Sequence, residues 1–119
     1  MREVVIASAA RTPVGAFNGG LSSVPASYLG TVAIKEALKR AKTDAADVDE
    51  VLLGQILTAG TGQNPARQAA VDAGIPVEAT AVQVNQLCGS GLRTVAMGMQ
   101  SIKLGDTHVI VAGGQESMC

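Results

Sequence analysis

The sequence predicts an α/β fold in which a mostly parallel sheet carries helices on both faces. Short apolar runs rich in β-branched residues alternate with helix-length amphipathic stretches along the chain. Strands connected through helices in this way pair in parallel by right-handed crossovers. With 119 residues, 47% of them hydrophobic and only 2% aromatic, the chain can bury one closely packed core and fits a single domain.

Four strands are predicted, each from a short run of Val, Ile and Leu next to polar residues or glycines. They cover Glu3–Ala9, Glu50–Leu57, Ala81–Asn85 and Thr107–Ala112. Two stretches rich in Gly and Pro, Ala10–Pro25 and Ala59–Pro65, are predicted to be loops.

Three helices are predicted between these strands, at Ala26–Ala41, Ala66–Ala73 and Gly89–Leu104. The first has its apolar residues mostly on one face and charged residues on the other. The second follows Pro65, a residue that suits the first turn of a helix. The third carries an apolar stripe and ends before Gly105, a typical helix stop.

Composition disfavours several classes of function. A net charge of −1 and the scarcity of aromatic side chains disfavour a nucleic-acid surface. Two Cys and one His at their spacings do not make a zinc site, and the glycine pairs lack the residues of a phosphate or dinucleotide loop. With no apolar run near 20 residues and no signal peptide, we expect no membrane partner and a cytoplasmic protein with reduced thiols.

Cys88 is the candidate catalytic residue. It follows a short apolar strand and precedes Gly89, Ser90 and Gly91, after which the third helix runs. Backbone N–H groups and the helix dipole at such a junction favour the thiolate, and ligands of α/β sheets bind at the carboxyl ends of strands. Cysteine is also among the most buried residue types, so spacing alone leaves a nucleophile and a structural core thiol about equally supported.

Four motifs, in order along the whole chain, resemble the thiolase family. They are VVIASAARTPVG at 4–15, GQNPARQ at 62–68, VNQLCGSGL at 84–92 and VAGGQESM at 111–118. The third resembles the family's acyl-enzyme signature, and the short N-terminus is similar to that of the biosynthetic branch, the acetyl-CoA acetyltransferases.

The resemblance implies an activity for the whole protein. Cys88 would be acetylated and would pass its acetyl group to a second acetyl-CoA in a Claisen condensation that gives acetoacetyl-CoA, or would act in the reverse thiolysis. The expected partners are acetyl-CoA, acetoacetyl-CoA and CoA, in a homodimer or homotetramer, with no cofactor beyond these thioesters.

The family also needs a His in a Gly-His-Pro motif, a second Cys in a Cys-x-Gly-Gly-Gly motif and an Asn-Glu-Ala-Phe segment, none of which occurs in these 119 residues. We therefore expect residues 1–119 to be a truncated thiolase N-terminal domain without the loop region and the C-terminal domain, and to be inactive alone. The alternatives are a non-catalytic fragment or assembly subunit, and a 3-ketoacyl-CoA thiolase of broader chain length.

Neither His108 nor Cys119 is expected to replace the missing groups. His108 lies at the start of the fourth predicted strand, on the sheet edge opposite Cys88, and is expected at the surface. Cys119 follows the end of that strand on the correct edge, where we expect an incidental thiol and no disulfide with Cys88.

Overall fold

A three-stranded parallel sheet forms the centre of the molecule. The computed structural model describes residues 2–119. Its elements are α1 (Ala26–Ala41), a 3-10 turn (Ala45–Asp47), β1 (Glu50–Gly54), α2 (Pro65–Asp72), β2 (Thr80–Val84), α3 (Ser90–Leu104) and β3 (Ile110–Gly114). The strand order is β2-β1-β3, so β1 is the central strand.

Helices cover both faces of this sheet, which confirms the predicted fold class. Alternate residues of a strand point to opposite faces. Val51 and Leu53 of β1 belong to one core cluster with Ile34 and Leu38 of α1. On the other face, α3 packs on β3 so closely that a Cβ built on Gly98 would lie 3.3 Å from Ile110.

The core on the first face depends on small residues. Ala66, Ala69 and Ala70 of α2 are at most 1% exposed and pack against the apolar residues of α1 and β1. Alanine side chains let two helices and a sheet approach closely, and interiors at this packing density leave few voids.

The predicted strand at Glu3–Ala9 is wrong. The segment forms no strand and its apolar residues are exposed, Val5 by 72% and Ile6 by 79%. It is attached to α1 instead: the Ser8 hydroxyl donates to the Ala37 carbonyl at 2.6 Å. A β-branched run becomes a strand only where a neighbouring strand takes its backbone hydrogen bonds, and none of residues 2–119 does so.

β2 is shifted by one residue from the predicted Ala81–Asn85, and the bounds of the other two strands differ from the prediction by up to three residues, for a shared reason. The strand predicted at Glu50–Leu57 ends at Gly54, because the Glu116 carboxylate accepts from the N–H groups of Ile56 and Leu57. The strand predicted at Thr107–Ala112 begins at Ile110 and ends at Gly114. Before it, the Asp49 carboxylate accepts from the N–H groups of His108 and Val109.

None of the helices within residues 2–119 has the length and hydrophobicity that a membrane crossing requires.

Gly54 is required by the contact between β1 and α3. A Cβ at this position would lie 2.5 Å from the Ser90 Cβ and 2.8 Å from the backbone nitrogen of Gly91. We expect Gly54→Ala to lower the free energy of unfolding by about 1–3 kcal/mol through overpacking, measured by urea denaturation. The control is Gly20→Ala, where the added Cβ meets nothing within 4 Å; equal midpoints for the two variants would contradict the prediction.

Asp49 gives stability a pH dependence. Hydrogen bonds from the backbone N–H groups of Val109 and His108 lower the pKa of Asp49 from its ordinary value of 3.8. A carboxyl whose pKa is lowered by folding stabilises the native state above the ordinary value, and this contribution is lost as the pH falls through the lowered pKa.

We therefore expect Asp49→Asn to unfold at lower urea concentration than the wild type at neutral pH, with a difference that shrinks as the pH falls below 3.8. Urea midpoints measured against pH check this. Glu78→Gln, at an exposed carboxyl in the loop before β2, controls for the loss of one negative charge; a difference independent of pH would refute the proposed cause.

Candidate active site

The candidate site lies at the carboxyl edge of the sheet. The three strands end in register, with Gly54 opposite both Val84 and Gly114. The segments that follow β1, β2 and β3 therefore meet at one edge. This is the edge at which open α/β sheets bind their ligands.

Cys88 is exposed on a tight turn at this edge, two residues before α3 begins. The Gln86 carbonyl accepts from the Gly89 N–H at 3.1 Å, and the Leu87 N–H donates to the Asn85 Oδ1 at 3.0 Å. Leu87 has a φ of 50°, a left-handed conformation that costs a non-glycine residue about 1–3 kcal/mol. The turn thus carries strain and displays the thiol to solvent.

The side chain of Ser90, the first residue of α3, forms hydrogen bonds with the backbone of this turn. It is 4% exposed. Its Oγ accepts from the Gln86 N–H at 2.7 Å and donates to the Leu87 carbonyl at 2.6 Å. Ser90 is not among the site residues predicted from the sequence, although a serine at a helix start is typical of such local hydrogen bonds.

Polar side chains cross-link the segments after β1 and β3. Gln55 and Gln115 are 2% and 7% exposed, and the Gln115 Nε2 donates to the Gln55 Oε1 at 2.9 Å. The Glu116 carboxylate receives N–H groups from Ile56 at 2.6 Å and Leu57 at 3.2 Å. Gln55, Gln115 and Glu116 are not among the site residues predicted from the sequence, since their partners are some 60 positions away.

The structure places His108 at the other edge of the sheet from Cys88, and Cys119 is hydrogen-bonded to Asn18. His108 precedes β3 at the amino edge of the sheet, with a side chain 72% exposed and its Nδ1 3.8 Å from an Asp49 oxygen. Cys119 lies on the carboxyl side, where its Sγ accepts from the Asn18 N–H at 3.1 Å. Both cysteines are free thiols.

Cys88 lines neither of two cavities of the molecule. One, of about 510 Å³, lies between residues 10–17, α1 and residues 114–119. A second, of about 940 Å³, is lined by residues 22–27, 55–61 and 117–119, with Pro65 and Gln68. Within residues 2–119, no three His, Cys, Asp or Glu side chains come together as a metal site would require.

The loop before α2 is built by local hydrogen bonds. The Asn64 Oδ1 accepts from the Arg67 N–H at 3.1 Å and caps the helix. The Arg67 guanidinium donates to the carbonyls of Ala79 at 2.6 Å and Val77 at 2.9 Å. This motif is therefore structural in this chain: it attaches α2 to the segment that enters β2.

Known proteins similar to this chain are thiolases. The family model for the thiolase N-terminal domain matches residues 4–119. An acetyl-CoA acetyltransferase of Rhizobium meliloti is 64% identical over 115 residues, which are 97% of this chain and 29% of the relative. The cytosolic acetyl-CoA acetyltransferase of Rattus norvegicus is 56% identical over the same shares of both chains.

The fold comparison agrees with these sequences. The crystal structure of Acat5 thiolase from Ascaris suum in complex with coenzyme A superposes with a TM-score of 0.94 at 41% identity, over 95% of this chain and 30% of that chain. The chain thus spans about 30% of the length of the relatives that it matches.

The Arg67 contacts lead to a stability prediction. Arg67→Lys should lower the free energy of unfolding by about 1–2 kcal/mol, because one ammonium group cannot reproduce the two guanidinium bonds. Urea denaturation of this variant is compared with Arg93→Lys, at an exposed position of α3. If both variants unfold at the wild-type midpoint, the Arg67 contacts contribute nothing to stability.

Proposed function

The chain belongs to the thiolase family, and on that premise we propose that it is the nucleophile-bearing part of an acetyl-CoA acetyltransferase. The observation that carries the proposal is the placement of Cys88: an exposed thiol on a strained turn, at the carboxyl edge of a parallel sheet and two residues before α3. The names of the relatives indicate the substrate class, a coenzyme A thioester.

In the first step, the Cys88 thiolate attacks the carbonyl carbon of acetyl-CoA. The bond between that carbon and the CoA sulfur breaks, and CoA leaves as a thiolate that takes up a proton. The acetyl group stays on Cys88 as a thioester, which divides one difficult reaction into two easier ones.

The backbone N–H of Cys88 is the group of this chain that would stabilise the tetrahedral oxyanion. Among residues 2–119, no acceptor pairs with this N–H, and the start of α3 adds the positive end of its dipole. Donors aimed at developing negative charge are often the largest contribution to catalysis.

In the second step, another acetyl-CoA loses a proton from its α-carbon to a base. The resulting carbanion attacks the acetyl carbonyl, a carbon–carbon bond forms, and the Cys88 thiolate leaves, giving acetoacetyl-CoA. In thiolysis the same bonds form and break in reverse. The base comes from outside residues 1–119, since His108 lies at the opposite edge of the sheet.

The chain would therefore serve as the N-terminal domain of a cytoplasmic homo-oligomer that uses CoA thioesters and no other cofactor. We propose acetyl-CoA as the substrate in place of longer acyl-CoA thioesters, because the relatives named above are acetyl-CoA acetyltransferases.

A second candidate, a non-catalytic fragment or assembly subunit, is favoured by one observation. Cys88 is exposed and lines neither of the two cavities described above, so these two cavities do not enclose a substrate at the thiol.

Exposure of the chain to acetyl-CoA separates the two candidates. We expect intact-mass spectrometry to find one acetyl group on the wild type, none on Cys88→Ala, and one on Cys119→Ser, which removes the other thiol. We also expect no acetoacetyl-CoA from the chain alone, because the base is missing. A folded wild type that stays unacetylated would favour the non-catalytic candidate.

A further inference from the structure

We propose that Ser90 is a positioning residue for acyl transfer, which acts by orienting the peptide group between Leu87 and Cys88. The proposal rests on the proposed role of Cys88 as the nucleophile. Ser90 is 4% exposed, so its hydroxyl does not touch the substrate, and its effect reaches the thiol through the backbone.

Two donors hold the Leu87 carbonyl in place. The Ser90 Oγ donates to this oxygen at 2.6 Å, and the Ser90 N–H donates to it at 3.1 Å. A trans peptide group is planar, so the N–H of the next residue points away from the carbonyl. Holding the Leu87 carbonyl therefore sets the direction of the Cys88 N–H.

The orientation of this peptide group needs hydrogen bonds to hold it, because Leu87 has an unfavourable backbone conformation. Leu87 has a φ of 50°, which L-residues other than Asn, Asp and Gly rarely adopt. The Ser90 Oγ also accepts from the Gln86 N–H at 2.7 Å, so one hydroxyl spans both sides of Leu87. Without it, the turn can relax toward a conformation in which the Cys88 N–H points elsewhere.

Ser90 is itself held in place by its contact with the central strand of the sheet. A Cβ on Gly54 would lie 2.5 Å from the Ser90 Cβ and 2.6 Å from its carbonyl carbon. The start of α3 thus rests on the central strand. The direction of the Cys88 N–H therefore depends on the contact of Ser90 with β1, the most buried strand of the molecule.

The test compares two reactions of the same thiol. p-Nitrophenyl acetate acylates a thiolate through a tetrahedral oxyanion, with loss of p-nitrophenolate. Iodoacetamide alkylates it at a saturated carbon, with loss of iodide and no oxyanion. Trypsin separates the two thiols of the chain, since cleavage after Arg67, Arg93 and Lys103 puts Cys88 and Cys119 in different peptides. Cys119 is then an internal reference in each sample.

Ser90→Ala should lower the ratio of acylation to alkylation at Cys88 by about tenfold, since oxyanion donors are worth at least that much when well aligned. The ratio at Cys119 should stay unchanged. The matched control is Thr94→Val, which removes a hydroxyl that is fully buried on the same helix. That hydroxyl bonds the carbonyls of Gly91 and Gly113, so Thr94→Val should reduce stability and leave the Cys88 ratio unchanged.

Equal losses of acylation and alkylation in Ser90→Ala, or the same loss of the ratio in Thr94→Val, would overturn the proposal. If Ser90→Ala is unfolded by circular dichroism, Leu87→Gly is compared with Leu87→Gly/Ser90→Ala. Glycine permits the left-handed conformation without enforcing it, so the ratio should still fall on removal of the hydroxyl; equal ratios would refute the proposal. Because p-nitrophenyl acetate carries no CoA, a failure with acetyl-CoA alone would count against the proposed function and not against Ser90.

Discussion

The start of α3 rests directly on the backbone of Gly54, and the geometry at the carboxyl edge of the sheet depends on this contact. A side chain at Gly54 would overlap Ser90 and Gly91. β1 lies between β2 and β3, and both of these strands end opposite its last residue, Gly54. The distance between strand and helix therefore sets the length of the turn that displays Cys88, which joins the end of β2 to the start of α3.

Carboxylates and amides, rather than further strand pairing, organise the two ends of the sheet. Asp49 receives two N–H groups at the amino edge, and Glu116 receives two at the carboxyl edge. Charge-assisted bonds of this kind satisfy backbone donors that a longer ladder would otherwise take. The strands are consequently short, and the segments that follow them are free to form a site instead of continuing the sheet.

In the proposed function, this chain supplies one part of the thiolase chemistry, the thiol of Cys88 and its backbone N–H. Its own histidine lies at the other edge of the sheet. Formation of the carbon–carbon bond needs a base as well as a thiolate. His108 does not bring this base to Cys88, in keeping with a chain that spans about 30% of the length of its relatives.

Local sequence determined the helices, most of the strands and the position of the candidate thiol. Periodicity, together with Pro65 at the start of α2 and Gly105 after α3, located α1 at Ala26–Ala41 and the other helices to within a residue, because these signals are local properties of the sequence. Four motifs in order along the chain, one of them around Cys88, likewise identified the family, because each motif is a run of neighbouring residues.

Tertiary structure alone decided the features that depend on distant partners. Glu3–Ala9 has a strand-like composition, yet no described strand pairs with it, and so it forms no strand and contacts α1 through Ser8. The bonds of Gln115 and Glu116 join residues about 60 positions apart, which no local pattern encodes. The role proposed for Ser90 also depends on tertiary structure. Its residue type shows only that it is small, and its hydroxyl reaches the turn because Gly54 lets the start of α3 approach β1.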